Sequence, residues 1–381
     1  MNMATQRTAL CFLLSVWVLF QGCDSDVKCR NDKGEEVDWY VIYKFNRSLS
    51  YNYMDESTKG WKLSQKTVDS KRGALANTLK PLLDFYDNNT KDFGFILYND
   101  QPNNKCVASS SYGHSKGVVL LDNQTIVWLT HSTPNFPKNG TKDFWPESGK
   151  SNAQTFMCVT FPFSAARDIA LQLYYIHPYC YDHKILPTLP HLLNLVPQRN
   201  SYPPEEPWYN VGSLTSLNGK RFLRFAKYKR FNGDLYSDLI VKNLREDLYV
   251  KSWKNKVIAL PSTCEINNVY NVNALQFPRM RKYHETVDHS KWCVTIEANW
   301  TCIADMNRAG SQKKRGGGAL CIDDPKVSKA FRHLVKEFEP CPPQPHTTTA
   351  TQPPKERVRK SGKSKVKPAT QTVKKECFEH E

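Results

Sequence analysis

The chain of 381 residues contains no apolar stretch of the roughly 20 residues that a membrane-spanning helix requires, so no transmembrane anchor is expected. None of its 12 cysteines falls in a C-x-x-C pair, which argues against a zinc site of the usual spacing. Acidic residues are also in short supply, with 37 Asp plus Glu against 53 Lys plus Arg and a formal charge of +16. Such a balance favours polyanionic partners, meaning nucleic acid, anionic lipid or acidic glycans. What is present rules out wholesale disorder, because 40% hydrophobic and 12% aromatic residues can bury a substantial core.

Arg7 precedes an apolar run over residues 9–20, broken only by Ser15, and the pattern of residues 1–22 reads as a secretory signal peptide. An oxidising lumen then makes the remaining 11 cysteines candidates for disulfides, with at least one thiol left over. Asn46, Asn88, Asn123, Asn139 and Asn299 each begin an Asn-x-Ser/Thr triplet, so they are candidate glycosylation sites on exposed loops.

Apolar runs at residues 39–43, 93–98, 117–121, 125–129 and 155–163 read as strands, the third and fourth joined by a hairpin at Asp122-Asn123-Gln124. Ser164 is the expected N-cap of a helix over residues 165–174. Six prolines in residues 186–208 interrupt the pattern and mark a crossover between two halves, residues 23–185 and 209–341. In the second half a strand is expected at residues 221–228, a helix at 234–253, a strand at 257–260 and further strands between 269 and 304. A last helix opens with Asp324 as cap and Pro325 at the first position, with Val327, Phe331, Leu334 and Phe338 on one face. From Pro342 onward nine basic residues against four acidic ones, with no apolar period, read as a basic disordered tail, compatible with a polyanion-holding arm.

Two His-x-Lys triplets occur, His114-Ser115-Lys116 and His289-Ser290-Lys291, one on each side of the proline-rich segment. On a strand, residues i and i+2 project from one face, so each triplet would present an imidazole beside an ammonium. Two such units meeting in one site suit phosphodiester cleavage without a metal. One neutral imidazole attacks phosphorus, a protonated one supplies a proton to the leaving oxygen, and the lysines offset charge on the non-bridging oxygens. An unperturbed histidine titrates near about 6.5, so mildly acidic solution favours this mixed protonation state.

Together with Gly-His-Ser-Lys-Gly-Val, Asp-His-Ser-Lys-Trp-Cys-Val, Asp305-Met306-Asn307-Arg308 and Arg315-Gly316-Gly317-Gly318, the duplicated triplet resembles the deoxyribonuclease II family over about Cys29 to Cys341. The resemblance implies a mixed α/β fold of phospholipase D type, with two similar halves, each a central β-sheet flanked by helices, packed as a pseudo-dimer within one chain. It implies an acid endodeoxyribonuclease of lysosomes or secretions that needs no divalent cation or other cofactor and leaves 3′-phosphate ends. It makes His114 the nucleophile, His289 the general acid and then base, and Lys116 and Lys291 phosphate ligands, although the symmetry of the site allows the two histidines to exchange roles. It also implies the pairings Cys29–Cys158, Cys264–Cys341 and Cys302–Cys321. The wider superfamily places an Asp seven residues after each His; here acids occur at +8 instead, Asp122 and Glu297, where they orient the imidazoles if the strand is regular. Asp122 equally fits a hairpin turn. Asn135 and Asn307 are further supporting candidates, and His131 and His284 lie near the motifs.

DNA is the expected partner, bound without sequence preference through its phosphates. The segment 220–230 reads either as a DNA track or as a half-buried strand, the latter favoured. No stable membrane association is expected, and a homodimer is left open. Two other readings stand beside the nuclease: a phospholipase D-like lipid phosphodiesterase, and a catalytically silent or toxin-like DNA-binding relative. The basic chain and the absence of a membrane-binding amphipathic helix disfavour the first, and the intact His114/Lys116 and His289/Lys291 pairs disfavour the second.

Overall fold

The structure is a computed structural model that describes residues 27–88, 93–102, 106–186, 196–198, 202–203, 205–253, 259–278, 280, 282–342 and 375–376. The expected signal peptide lies outside the described residues, as does the expected basic tail apart from Pro342 and Lys375–Glu376.

Residues of the first half form β1 (Trp39–Lys44), β2 (Ser50–Asp55), β3 (Lys62–Thr67), β4 (Gly94–Asn99), β5 (Cys106–Val107), β6 (Lys116–Leu121), β7 (Thr125–His131), β8 (Gln154–Pro162) and β9 (Cys180–Lys184), with helices α1 (Ala74–Asn88) and α2 (Ala166–Ile176). All but β5 join in an antiparallel sheet of order β3-β2-β1-β8-β7-β6-β4-β9. The second half supplies β10 (Tyr209–Thr215), β11 (Arg221–Lys227), β12 (Leu248–Lys251), β13 (Thr263–Cys264), β14 (Asn268–Leu275), β15 (Tyr283–His284), β16 (Trp292–Thr295), β17 (Trp300–Ala304), β18 (Gly317–Asp323) and β19 (Val335–Phe338), with α3 (Val241–Leu244) and α4 (Pro325–Arg332). These strands order as β10-β11-β18-β17-β16-β12-β14-β13, with β15 and β19 on β14; β12 and β14 run parallel. A short parallel pair joins β5 to β20 (Lys375–Glu376).

Both large sheets are buried on both faces, which explains why their central strands read as continuous apolar runs rather than alternating ones. Val41, Tyr43, Trp128 and Val159 of the first sheet share a core with Phe222, Trp292, Val294 and Leu320 of the second, closed by α2 and α4. On the outer face of the first sheet, Tyr40, Ile42, Val118 and Leu129 pack beneath α1. The outer face of the second is covered by Leu235, Leu239 and Val241 over Phe225, Val250 and Cys293. All three implied disulfides are formed. Cys29–Cys158 spans 129 residues, and closing a loop of that length in the unfolded chain is worth on the order of 5 kcal/mol. Cys180 and Cys293 are free. Of the candidate glycosylation sites, Asn88, Asn123 and Asn299 are exposed, whereas Asn46 and Asn139 are half-buried.

Several expectations need correction. The helix expected over 234–253 is a short π turn (Tyr236–Ile240) and α3, after which Arg245 adopts φ 56° and β12 begins. A left-handed non-glycine residue ends a helix, and Leu-Tyr-Val then favours a strand. Ser164 lies inside a 3-10 turn and Ala165 occupies the cap position of α2, with no side-chain bond. Asp324 does cap α4, accepting from the N–H groups of Lys326 and Val327 at 2.8 and 3.2 Å, but the helix stops at Arg332, so Phe338 belongs to β19. Residues 257 and 258 of the strand expected at 257–260 lie outside the described residues, and Ala259 forms only an isolated bridge with Ala309. Phe222, Arg224 and Ala226 of β11 and Tyr228 just beyond it are buried, and Arg224 binds Asp168 at 2.7 Å, so this segment is core rather than a DNA track.

Candidate active site

Each His-Ser-Lys triplet sits immediately before a strand rather than within one: Lys116 is the first residue of β6, and Lys291 directly precedes β16. Ser115 and Ser290 are fully buried and Lys116 and Lys291 nearly so, while the two histidines are half-buried. Strand pairing places Asn99 of β4 opposite Lys116, so the next residue, Asp100, lands beside the lysine ammonium and forms a buried ion pair with it.

Asp100 carries no signal in the sequence, and it gathers two cations and an imidazole. Besides Lys116 it faces His114 Nε2 at 3.7 Å and Arg315 Nη1 at 3.4 Å. Burial alone would raise its pKa, but Lys116, His114 and Arg315 together hold it well below the ordinary carboxylate range. Arg315 comes from the other half of the chain and also donates to the carbonyls of Tyr112 and Gly113 at 3.2 and 3.3 Å. The glycines after it permit this crossing. A Cβ on Gly316 would stand 2.1 Å from the Ile176 carbonyl oxygen, and one on Gly113 2.4 Å from the same atom. With both positions bare, His114 N–H reaches Gly316 O at 2.8 Å.

His114 Nδ1 lies 2.7 Å from the backbone oxygen of Asp305. A carbonyl can only accept, so Nδ1 carries the proton and Nε2 keeps its lone pair. Burial first, then the charges of Lys116, Arg315 and Lys291, depress this imidazole well below its usual pKa against the opposing pull of Asp100. The Asp305 carboxyl accepts from Gly318 N–H at 2.9 Å, and burial pushes it up to about 7 despite Lys116 and Lys291 nearby.

The second triplet is built differently. His289 N–H donates to Ala153 O at 2.9 Å, a bond between the two halves, and its ring packs against the Trp253 indole at 5.3 Å. The imidazole itself makes no hydrogen bond among the described residues. Burial, then Lys291 and Lys251, lower its pKa to about 3. Behind it, buried Asp288 accepts from Tyr43 OH at 2.5 Å and from Ser290 N–H at 2.8 Å, and Lys251 Nζ donates to its backbone oxygen at 2.9 Å. Lys291 donates to His289 O at 2.7 Å, and burial followed by the charges of Lys116 and Lys251 brings its pKa down to about 7. Lys116 acts on His289 and Lys291 while Lys291 acts on His114, so the two triplets share one electrostatic site.

Supporting candidates divide. Asp122 does not orient an imidazole; it caps the β6–β7 hairpin, accepting from Gln124 and Thr125 N–H at 2.8 and 2.9 Å. Glu297 is exposed in the turn beyond β16. In both copies the strand runs away from the cleft, so a residue eight positions on lies at its far end. Asn307 accepts from the backbone N–H of Trp253 at 3.2 Å, while the indole that packs on His289 donates its own N–H to Thr286 O at 3.2 Å. Asn135 N–H donates to Gln101 O at 2.8 Å, which fixes the loop after Asp100. His131 is buried on β7, with Lys116 among the groups that depress its pKa, whereas His284 is exposed on β15. Asp288 adjoins the second triplet and was readable there; Asp100 and Arg315 are brought in by strand pairing and by the glycine crossing.

Replacing Asp100 by Asn is expected to lower kcat about tenfold to a hundredfold, the usual effect of removing a group that orients a catalytic side chain. Because Asp100 supports the basicity of His114, the acidic limb of kcat/KM should also move to lower pH. Loss of activity with an unshifted pH profile would mark Asp100 as merely structural.

The sequence matches the family model described as Deoxyribonuclease II over residues 28–341. It is 40% identical over 336 residues to deoxyribonuclease-2-alpha of Rattus norvegicus, covering 83% of this chain and 95% of that one. Plancitoxin-1 of Acanthaster planci is 34% identical over 354 residues, with 87% and 97% covered. Deoxyribonuclease-2-beta of Homo sapiens is 31% identical over 331 residues, with 83% and 92% covered.

Proposed function

Because the chain belongs to the deoxyribonuclease II family, we propose that the two triplets form one centre that hydrolyses DNA phosphodiester bonds in acid without a divalent cation. The observation that carries this reading is the asymmetry of the two imidazoles. His114 is locked by the Asp305 carbonyl with Nε2 free to attack, while the His289 ring is unbonded and able to pick up and release a proton.

Nε2 of His114 attacks phosphorus, and the bond to the 5′-oxygen breaks as His289 delivers its proton to that oxygen, producing a 5′-hydroxyl and a 3′-phosphohistidine. His289, now neutral, takes a proton from water, whose oxygen displaces His114 and releases the 3′-phosphate. Lys116 and Lys291 offset the charge on the non-bridging oxygens. Asp100 and Arg315 hold Lys116 and the His114 loop in place, and Asn307 supports the Trp253 wall. We read residues 23–185 and 209–341 as the two halves of a phospholipase D-like pseudo-dimer joined across 186–208. A signal peptide at 1–22 would direct the protein to lysosomes or secretions, where acid conditions suit this chemistry.

Nicking of supercoiled plasmid by the purified protein, between about pH 4 and 8 with excess EDTA throughout, tests the reading. Acid-favoured cleavage leaving 3′-phosphate and 5′-hydroxyl ends is expected. Cleavage that requires a divalent metal overturns the two-histidine mechanism.

A further inference from the structure

A groove of about 920 Å³ opens between the β2–β3 turn, the segment following β14 and helix α4. Lys59, Lys326, Lys329 and Lys336 line it, all four are exposed, and among the described residues no carboxylate contributes to its wall. Among the described residues none of these ammonium groups has an anionic partner. The neighbouring acids are already matched elsewhere, since Asp324 accepts from Lys220 Nζ at 2.7 Å and Glu337 is paired with Lys282. Four like charges around one concavity repel each other and raise the local concentration of anions. Lys326 and Lys329 are three residues apart and so share one face of α4, while Val327 and Phe331 on the other face enter the core.

Beneath the groove a chain of ring contacts leads toward the second triplet. The Trp61 ring stands 5.8 Å from Phe277, and Phe277 stands 4.9 Å from Tyr43. Tyr43 in turn bonds Asp288, the residue before His289. Three successive aromatic rings therefore lie between the basic groove and the second triplet.

We propose that this groove binds the backbone phosphates of the DNA flanking the bond to be cleaved, a second binding site outside the catalytic cleft that only substrates extending beyond that cleft can reach. The proposal rests on the nuclease reading above for the identity of its polyanion. Phosphate contacts of this kind position a substrate without reading its sequence, and each one released by salt contributes a slope of about −0.9 to log K against log salt concentration.

The test compares the full chain with a variant in which Lys59, Lys326, Lys329 and Lys336 are all changed to Gln, and with a second in which all four are changed to Arg. Binding to a duplex of about 30 base pairs is measured across salt concentrations with His114→Ala as the common background, and cleavage of the same duplex and of a dinucleotide is measured with His114 intact. The Gln variant should show a salt slope shallower by about 2 to 4 and cleave the long duplex at least about tenfold less efficiently, with dinucleotide cleavage unchanged. The Arg variant should retain the original slope. An unchanged slope in the Gln variant, or an equal loss on duplex and dinucleotide, overturns the proposal. So does a groove whose loss weakens binding of a sulfated glycan but not of DNA. Failure of the nuclease reading would look different, because the unaltered chain would then bind the duplex with its full salt slope yet cleave neither substrate.

Discussion

Alanine in place of His114 is expected to reduce DNA cleavage by about a thousandfold or more, and alanine in place of His289 by a comparable factor, while DNA binding changes by no more than a few fold. The two losses should part company when the leaving group is altered. A substrate whose 5′-oxygen is replaced by bridging sulfur, or carries a nitrophenyl group, needs no proton to depart. On such a substrate His289→Ala should recover most of its first-step rate, whereas His114→Ala should not, because no lone pair is left to attack phosphorus. The single-turnover rate of leaving-group release reads this directly. The asymmetry follows from the structure: His114 is fixed by one hydrogen bond to the Asp305 carbonyl at 2.7 Å, and the His289 ring is held by packing on Trp253 alone. If sulfur rescued His114→Ala instead, the roles would be reversed, an exchange that two identical triplets allow on sequence alone.

How far the site was legible follows from where each residue's information lies. The triplets are local and duplicated, so they stood out, as did the cap and proline that open α4. Asp100 carries no local signal, because only the β4–β6 pairing brings it to Lys116. Arg315 was noticed beside its glycines, but its reach to Asp100 depends on a backbone crossing that no pattern encodes. The +8 acids misled because a regular period was carried past the end of the strand, where Asp122 serves the turn. A similar limit explains the elements that were missed. β3 is a polar, mostly exposed edge strand without apolar alternation, and α1 carries Pro81 in its interior. The expected helix over 234–253 failed because Arg245 leaves the helical region midway. Local pattern reveals elements that bury their own stripe; it is silent where burial is supplied by a neighbouring strand.

DNA binding by the uncleaving His114→Ala protein is expected to strengthen as pH falls from about 8 to about 5, with the rise centred near 7. Two groups in the cleft change charge there. Lys291, at about 7, is neutral above that point and positive below it, and Asp305, also at about 7, is negative above and neutral below. The cleft thus becomes more positive by two elementary charges as the solution turns acidic. Lys291→Arg, whose guanidinium stays charged, and Asp305→Asn, whose amide can still accept from Gly318 N–H, should each bind more tightly than their parent at pH about 8 and flatten the profile. A flat profile in the parent would sink this account of acid preference. Cleavage should keep rising at acidities where binding has levelled, because His289, at about 3 in the free protein, gains its proton only with help from the bound phosphate. The same shifts act on stability in opposite senses. The His289 pKa is depressed from 6.5, so its contribution is complete above that value and is lost as pH falls toward 3. The Asp305 pKa is raised from 3.8, so its contribution is complete below 3.8 and is lost as pH rises through 7. His114 and His131 are depressed in the same sense as His289, so the raised Asp305 offsets only part of the loss as the solution turns acidic. Asp305→Asn removes that offset, and its Tm should therefore drop more steeply between about pH 7 and 5 than that of the parent.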